Sequence, residues 1–163
     1  MTTTPAQSAR ELPVIVIRRP VSPVTRVVVG VDGSAGSVAA LRWAAAEACR
    51  QQAVLRIVSA WEEAAQPASF RVGHPARIAA TRVQKALTRV LAQPHYPRHI
   101  ACATPEGVAG ETLLNEVGDA GLLVLGVAGA AAEVNAAQPA GPTCRHCLRR
   151  GHSPLVFVAA SAP

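Results

Sequence analysis

With 163 residues the chain is long enough for one domain that buries about two thirds of its unfolded surface and needs no disulfide or metal staples. Half of the residues are apolar but only 3% are aromatic, which excludes a core of a few bulky anchors and leaves one of Ala, Val, Ile and Leu. No apolar run approaches the roughly 18 residues of a membrane span, and the opening Met-Thr-Thr-Thr-Pro lacks the order of a secretory leader, so a cytoplasmic chain with reduced cysteines is expected.

Residues 1–11 read as a tail. Pro13-Val-Ile-Val-Ile17 is a short β-branched run closed by Arg18-Arg19-Pro20 and Val21-Ser-Pro23, a strand followed by a linker. Arg26-Val-Val-Val-Gly-Val31 is the continuous apolar run of a strand buried on both faces. Asp32-Gly-Ser-Ala-Gly36 turns the chain into a helix in which Val38, Leu41, Ala45, Ala48 and Cys49 recur at helical steps, with Ser34 or Ser37 as its cap. Val54–Ser59 is the next strand. A second helix runs from Pro75 to Ala92 with Ala79, Val83, Ala86, Leu87, Val90 and Leu91 inward, stopped by Pro94 and Pro97.

His99–Thr104 reads as a short strand and Gly107–Asn115 as a helix ended by Gly118. Leu122-Leu-Val-Leu-Gly126 is another buried strand, Pro142–Arg150 a fourth helix with Gly151 past its end, and Pro154–Val158 the last strand. From residue 26 onward five strands alternate with four helices. That alternation predicts an α/β fold with a doubly wound parallel sheet, helices on both faces and an extra N-terminal strand in front.

The charge of +6 comes from 15 Arg and one Lys against 10 acids, and it is uneven. No acidic residue occurs between Glu63 and Glu106, while Arg71, Arg77, Arg82, Lys85, Arg89 and Arg98 all fall there. Solvation of a basic helix face accounts for most such stretches; an anionic partner or nucleic acid is the minor reading.

The block Val27-Val-Val-Gly-Val-Asp-Gly-Ser-Ala-Gly-Ser-Val-Ala-Ala-Leu-Arg-Trp43 resembles the opening of a universal stress protein domain. Val58-Ser-Ala-Trp61, Glu111-Thr-Leu-Leu-Asn, Leu122–Gly126 and Thr143-Cys-Arg-His-Cys-Leu-Arg-Arg leading into Ser153–Val158 are similar to its later elements in the same order. The resemblance runs from about residue 25 to 159. It implies a Rossmann-like five-stranded sheet in the order 3-2-1-4-5, counted from residue 26, and a cleft where the strand order reverses. It also implies a binding and regulatory role in stress response, with ATP and its associated magnesium as the cofactor in those members that carry one. It divides the chain into residues 1–24, which look like the stump of a preceding repeat, and a domain over 25–160.

The resemblance carries nucleotide-binding roles onto Asp32, Gly33, Ser34, Val58, Gly126, Gly129, Gly141 and Thr143. For Asp32 an Asx-turn that ties the carboxylate to its own loop is an equal reading; for Val58 to Ala60, plain strand packing is the simpler one. The family's phosphate signature, Gly-x2-Gly-x9-Gly followed by Ser or Thr, is kept in Gly126-Val-Ala-Gly129 and then altered. Eleven residues precede Gly141, and Pro142 separates it from Thr143. Pro142 lacks an N–H to offer a phosphate, and Glu133 adds negative charge within the loop, so an altered or vacant nucleotide site is expected alongside an intact one. No Walker motif is present, because the one lysine, Lys85, lies within a helix.

Cys144-Arg-His-Cys147 is a C-x-x-C at a helix start, the pattern of a redox couple, but packing is the reading it supports better. With His152 it has the spacing of a zinc knuckle whose fourth place falls on Phe157, which closes no zinc site. Cys49 and Cys102 sit among apolar neighbours and read as core. His74, His95 and His99 read as solvent-facing. No nucleophile–base pair or acid dyad is present, so the chain reads as a binding protein, with no catalytic residue and no resident metal. The alternatives are an ATP-hydrolysing or adenylate-using enzyme on the same fold, or a redox sensor. Pro13–Arg18 repeats the style of Pro154–Ala159, and an uncovered strand is an edge liability. It is expected against the last strand, in the same chain or across a homodimer formed through that strand; the sequence does not name any other protein partner.

Overall fold

The computed structural model describes residues 14–20, 23–63, 73–119, 121–127 and 141–160. In chain order the elements are β1 (Val14–Arg18), β2 (Arg26–Gly30), α1 (Ala35–Gln51), β3 (Val54–Val58), α2 (Pro75–Leu91), β4 (Ile100–Ala103), α3 (Ala109–Val117), β5 (Gly121–Val127), α4 (Pro142–Arg150) and β6 (Leu155–Ala159). They form one six-stranded sheet in the order β1-β6-β5-β2-β3-β4. Neighbours from β6 to β4 are parallel, and β1 is antiparallel to β6.

The sheet is therefore mixed: the five strands from residue 26 onward are parallel, and the extra N-terminal strand lies against the last one within the same chain, antiparallel to it. The run at Val14–Arg18 joins it because β6 would otherwise leave a row of backbone N–H and C=O groups unpaired at the sheet edge. Val14 faces Val158, Ile15 faces Phe157 and Val16 faces Val156. Arg18 fastens the strand from the side. Its guanidinium donates to the carbonyl oxygens of Ser153 at 2.9 Å, Cys147 at 3.3 Å and Leu148 at 3.4 Å. Two of these are carbonyls of the last turn of α4, where that of Cys147 also accepts the Gly151 N–H at 3.0 Å.

Strand alternation splits the core into two layers. Val27 and Val29, Leu55 and Ile57, Leu122 and Val124, and Val156 and Val158 face α1 and α2. Val28, Val58, Leu123, Leu125, Leu155 and Phe157 face α3 and α4. The face of α1 turned to the sheet is unusually small, with Gly36, Ser37, Ala39, Ala40, Ala44, Ala45 and Ala48 buried alongside Leu41. That face brings the helix backbone close to β5. A Cβ on Gly36 would meet the Val127 carbonyl oxygen at 2.7 Å, and one on Gly126 would overlap the backbone of Gly36 and Ser37 outright.

Two expectations about the core are corrected. Leu91 is 47% exposed, because Val90 takes the inward position of the last turn and the next residue is rotated about 100° from it. Cys102 is exposed, because β4 is the outer strand and its alternate residue points away from the sheet.

The approach of α1 to β5 leaves no room for a methyl group. Gly36→Ala and Gly126→Ala are each expected to lower stability by about 3 kcal/mol, as overpacking against backbone does. Ala46→Ser on the outer side of α1 should stay within about 0.5 kcal/mol. Urea unfolding of the three variants checks this.

Candidate functional site

The strand order reverses between β2 and β5, whose crossovers leave to opposite faces, and a crevice opens beyond their carboxyl ends. It is a cavity of about 110 Å³. Val58, Leu113 and Leu125 give it apolar walls; Asp32, Ser37 and Thr143 give it polar groups, and Arg82 stands at its border.

Each polar group is placed by a local rule. β2 ends at Gly30, and the turn that follows needs Gly33 at φ +88°, a conformation open to glycine. Asp32 Oδ1 accepts the Ser34 N–H at 2.9 Å, so the Asx-turn is present. Ser34, not Ser37, is the cap of α1: its Oγ accepts the Ser37 N–H at 3.2 Å, while the Ser37 hydroxyl donates to the Ser34 carbonyl at 3.0 Å. Partial burial pushes the Asp32 carboxyl up, but the hydrogen bonds from Ser34 and Ser37 outweigh it and hold the group below its ordinary value. Asp32 is thus a carboxylate at neutral pH, with acceptor capacity left over for a ligand.

The opposite wall comes from β5 and α4. Gly141, at φ +90°, enters α4, Pro142 takes the first turn, and Thr143 and Cys144 reach the crevice. The Cys144 thiol donates to the Gly126 carbonyl at 3.7 Å and that of Cys147 to the Gly110 carbonyl at 3.7 Å. Burial pushes the two thiols up to about 11 and about 12, with the Asp32 carboxylate adding to the first and the neighbouring Cys144 to the second. Thiolate, the reactive form, is scarce at both, so packing is their structural role and the redox reading loses its chemical footing. The rim next to β3 is fixed by Trp61, whose indole N–H donates to the Thr104 carbonyl at 3.0 Å.

Of the residues proposed from the sequence, Asp32, Val58, Gly126 and Thr143 line one cavity. Gly33 faces an adjoining cleft, Ser34 caps α1, and Gly141 stands exposed at the start of α4. Gly129 and Glu133 lie outside the described residues. Gly126 has a second duty that its reading as a phosphate-approach glycine did not include: it admits α1. Arg82, Leu113 and Cys144 were missed as crevice residues. For Arg82 the acid-free stretch around it was the available signal; Leu113 and Cys144 follow ordinary helical periodicity and had none.

The burial of the two α4 thiols has a direct readout. At mildly alkaline pH Ellman's reagent should titrate exposed Cys102 first, leaving Cys144 and Cys147 unreacted until denaturant is added. Both thiols ionise near 9 when unfolded, so the folded chain alone keeps these protons above that pH. Their contribution to stability is complete below about pH 9 and falls as the pH rises toward 11 to 12. Urea unfolding across that range, compared with Cys144→Ala, should show a shallower decline in the variant.

The family model described as the Universal stress protein family matches residues 23–159. Solved structures agree in fold. A universal stress protein in complex with cAMP shares 21% identity at a TM-score of 0.62, covering 86% of this chain and 100% of that one. Universal stress protein UspA from Lactobacillus plantarum shares 16% identity at a TM-score of 0.60, covering 84% and 99%. A universal stress protein family protein from Arabidopsis thaliana with AMP bound shares 13% identity at a TM-score of 0.54, covering 85% and 93%. No curated protein matches the chain.

Proposed function

The chain belongs to the universal stress protein family, and from that premise we propose that it is a stress-response binding domain whose crevice takes an adenine nucleotide. The observation that carries the proposal is the convergence of Asp32, Val58, Gly126 and Thr143 on one cavity at the reversal of strand order. Apolar walls beside a few fixed polar groups suit a base and its ribose. Val58 and Leu113 would cover the base, the Asp32 carboxylate would accept a ribose hydroxyl, and Thr143 would offer its own hydroxyl. The cAMP and AMP complexes of structural relatives support the same ligand class. Magnesium would arrive with the phosphates, since Asp32 is the one acidic residue on the described crevice lining and a single carboxylate makes no metal site of its own.

Binding is the proposed activity, without turnover. No helix among the described residues is long and apolar enough to cross a membrane, and action in the cytoplasm is part of the proposal. So is self-association along the sheet edge. β6 is already paired on both sides within the chain, so a second copy would pair along the outer side of β1. A single-chain mass by light scattering at high concentration removes the dimer from the proposal.

Calorimetry with AMP, cAMP and ATP tests the nucleotide. Asp32→Asn keeps an acceptor for the Ser34 N–H and removes the charge, and it should weaken all three by about tenfold through loss of a charge-assisted hydrogen bond. Absence of heat with every nucleotide in the unaltered protein would overturn the reading.

A further inference from the structure

Beside the crevice lies a second, larger hollow, a cleft of about 420 Å³ between the Gly33 turn and α2. Its α2 side is formed by Arg77, Ile78, Thr81, Arg82, Lys85 and Arg89. Arg82 lines both hollows, and Asp32 and Gly33 are consecutive residues facing one each, so the two adjoin at Arg82. Arg77 and Arg89 are twelve residue steps apart, roughly 18 Å of helix axis.

The four cations of this cleft have no partner among the described residues. None makes an ion pair or a side-chain hydrogen bond within the described residues, whose ion pairs are Arg50–Glu47 and Arg56–Glu116. α2 carries no acidic residue. Arg82 and Lys85 are three apart and Lys85 and Arg89 four apart, spacings at which like charges oppose helix formation. An anion laid along the helix would reverse the sign of that interaction.

We propose that this cleft is the phosphate site of the nucleotide crevice, and that the ligand class is a nucleoside di- or triphosphate whose phosphate chain leaves the crevice past Arg82 and runs along Lys85 and Arg89. This rests on the nucleotide reading of the crevice. Three features direct the chain to α2 in place of the turn into α4. The Asp32 carboxylate repels phosphate within the crevice, Pro142 has no N–H to offer at the first turn of α4, and every charged side chain among the described cleft residues is positive. A single-stranded nucleic acid fits less well, because the described residues of the cleft lining include no aromatic ring on which a base could stack.

The test is calorimetry on the full chain with AMP, ADP, ATP and inorganic tripolyphosphate, at two salt concentrations. In the unaltered protein affinity should rise about tenfold for each phosphate added to AMP, and the gain should shrink with salt. In K85Q/R89Q, whose side chains are exposed, the ADP and ATP affinities should fall toward that of AMP, and Arg82→Gln should do the same. Circular dichroism verifies that the variants fold. ATP binding no tighter than AMP, or an ATP advantage that survives these variants, overturns the cleft while leaving the crevice reading in place. Tripolyphosphate binding that is lost in K85Q/R89Q, with no nucleotide bound, keeps the cleft as an anion site and overturns both the crevice reading and the nucleotide assignment of the cleft. An oligonucleotide without terminal phosphate that binds tighter than ATP and is lost in the same variants makes the surface a nucleic-acid one and also overturns the proposal.

Discussion

The backbone of Gly36, in the first turn of α1, lies directly on the backbone of Gly126 near the end of β5, with no side chain between them. That contact sets the distance between the turn after β2 and the end of β5, and hence the width of the crevice between them. It demands glycine at both positions and small residues along the rest of the inner face of α1, which the run of buried alanines supplies. Gly126 is held from the other side as well, since its carbonyl receives the Cys144 thiol from α4. One residue of β5 therefore positions two helices, and the crevice lies where all three elements meet.

The electrostatics at that rim follow from the same arrangement. Ser34 and Ser37 hold Asp32 as a carboxylate while they start α1, so capping the helix and charging the crevice are one act of folding. On the far side of the Gly33 turn the field changes sign within a residue or two, because α2 carries only cations. A ligand spanning that boundary would meet an acceptor of hydroxyl groups at one end and an attractor of anions at the other. Such a division is more selective than a crevice of one charge, since each half penalises the group that suits its neighbour.

Much of this was legible in the sequence, and the gaps have identifiable causes. Continuous apolar runs at 26–31, 54–59 and 122–126 are what strands buried on both faces require, and the three-and-four spacing of Ala79, Val83, Ala86 and Val90 marks the inner face of α2. Asp32 and Thr143 could be brought to one crevice before coordinates, because the family resemblance assigns both to one nucleotide site and the α/β alternation puts such a site beyond the carboxyl ends of the strands. Periodicity could not give lateral position: nothing in Ile100-Ala-Cys-Ala103 states that it is an outermost strand, so Cys102 read as core. Nor could it give depth of approach, and Gly36 looked like part of a turn when it is the site of the closest packing. The signal for the basic cleft was present as a run without acids, but only the fold sets Gly33 opposite it.

The direction of β1 has an architectural consequence. Because that strand runs against β6, Val14 lies beside Val158 at the carboxyl rim of the sheet, the same rim on which the crevice opens. Entry to and exit from the described fold are thus neighbours, separated by the spacing of two paired strands, about 5 Å. A domain with adjoining ends can be spliced into a larger polypeptide as a cassette without stretching either junction. Any such host would meet this one at its ligand-facing rim, two strands away from the crevice.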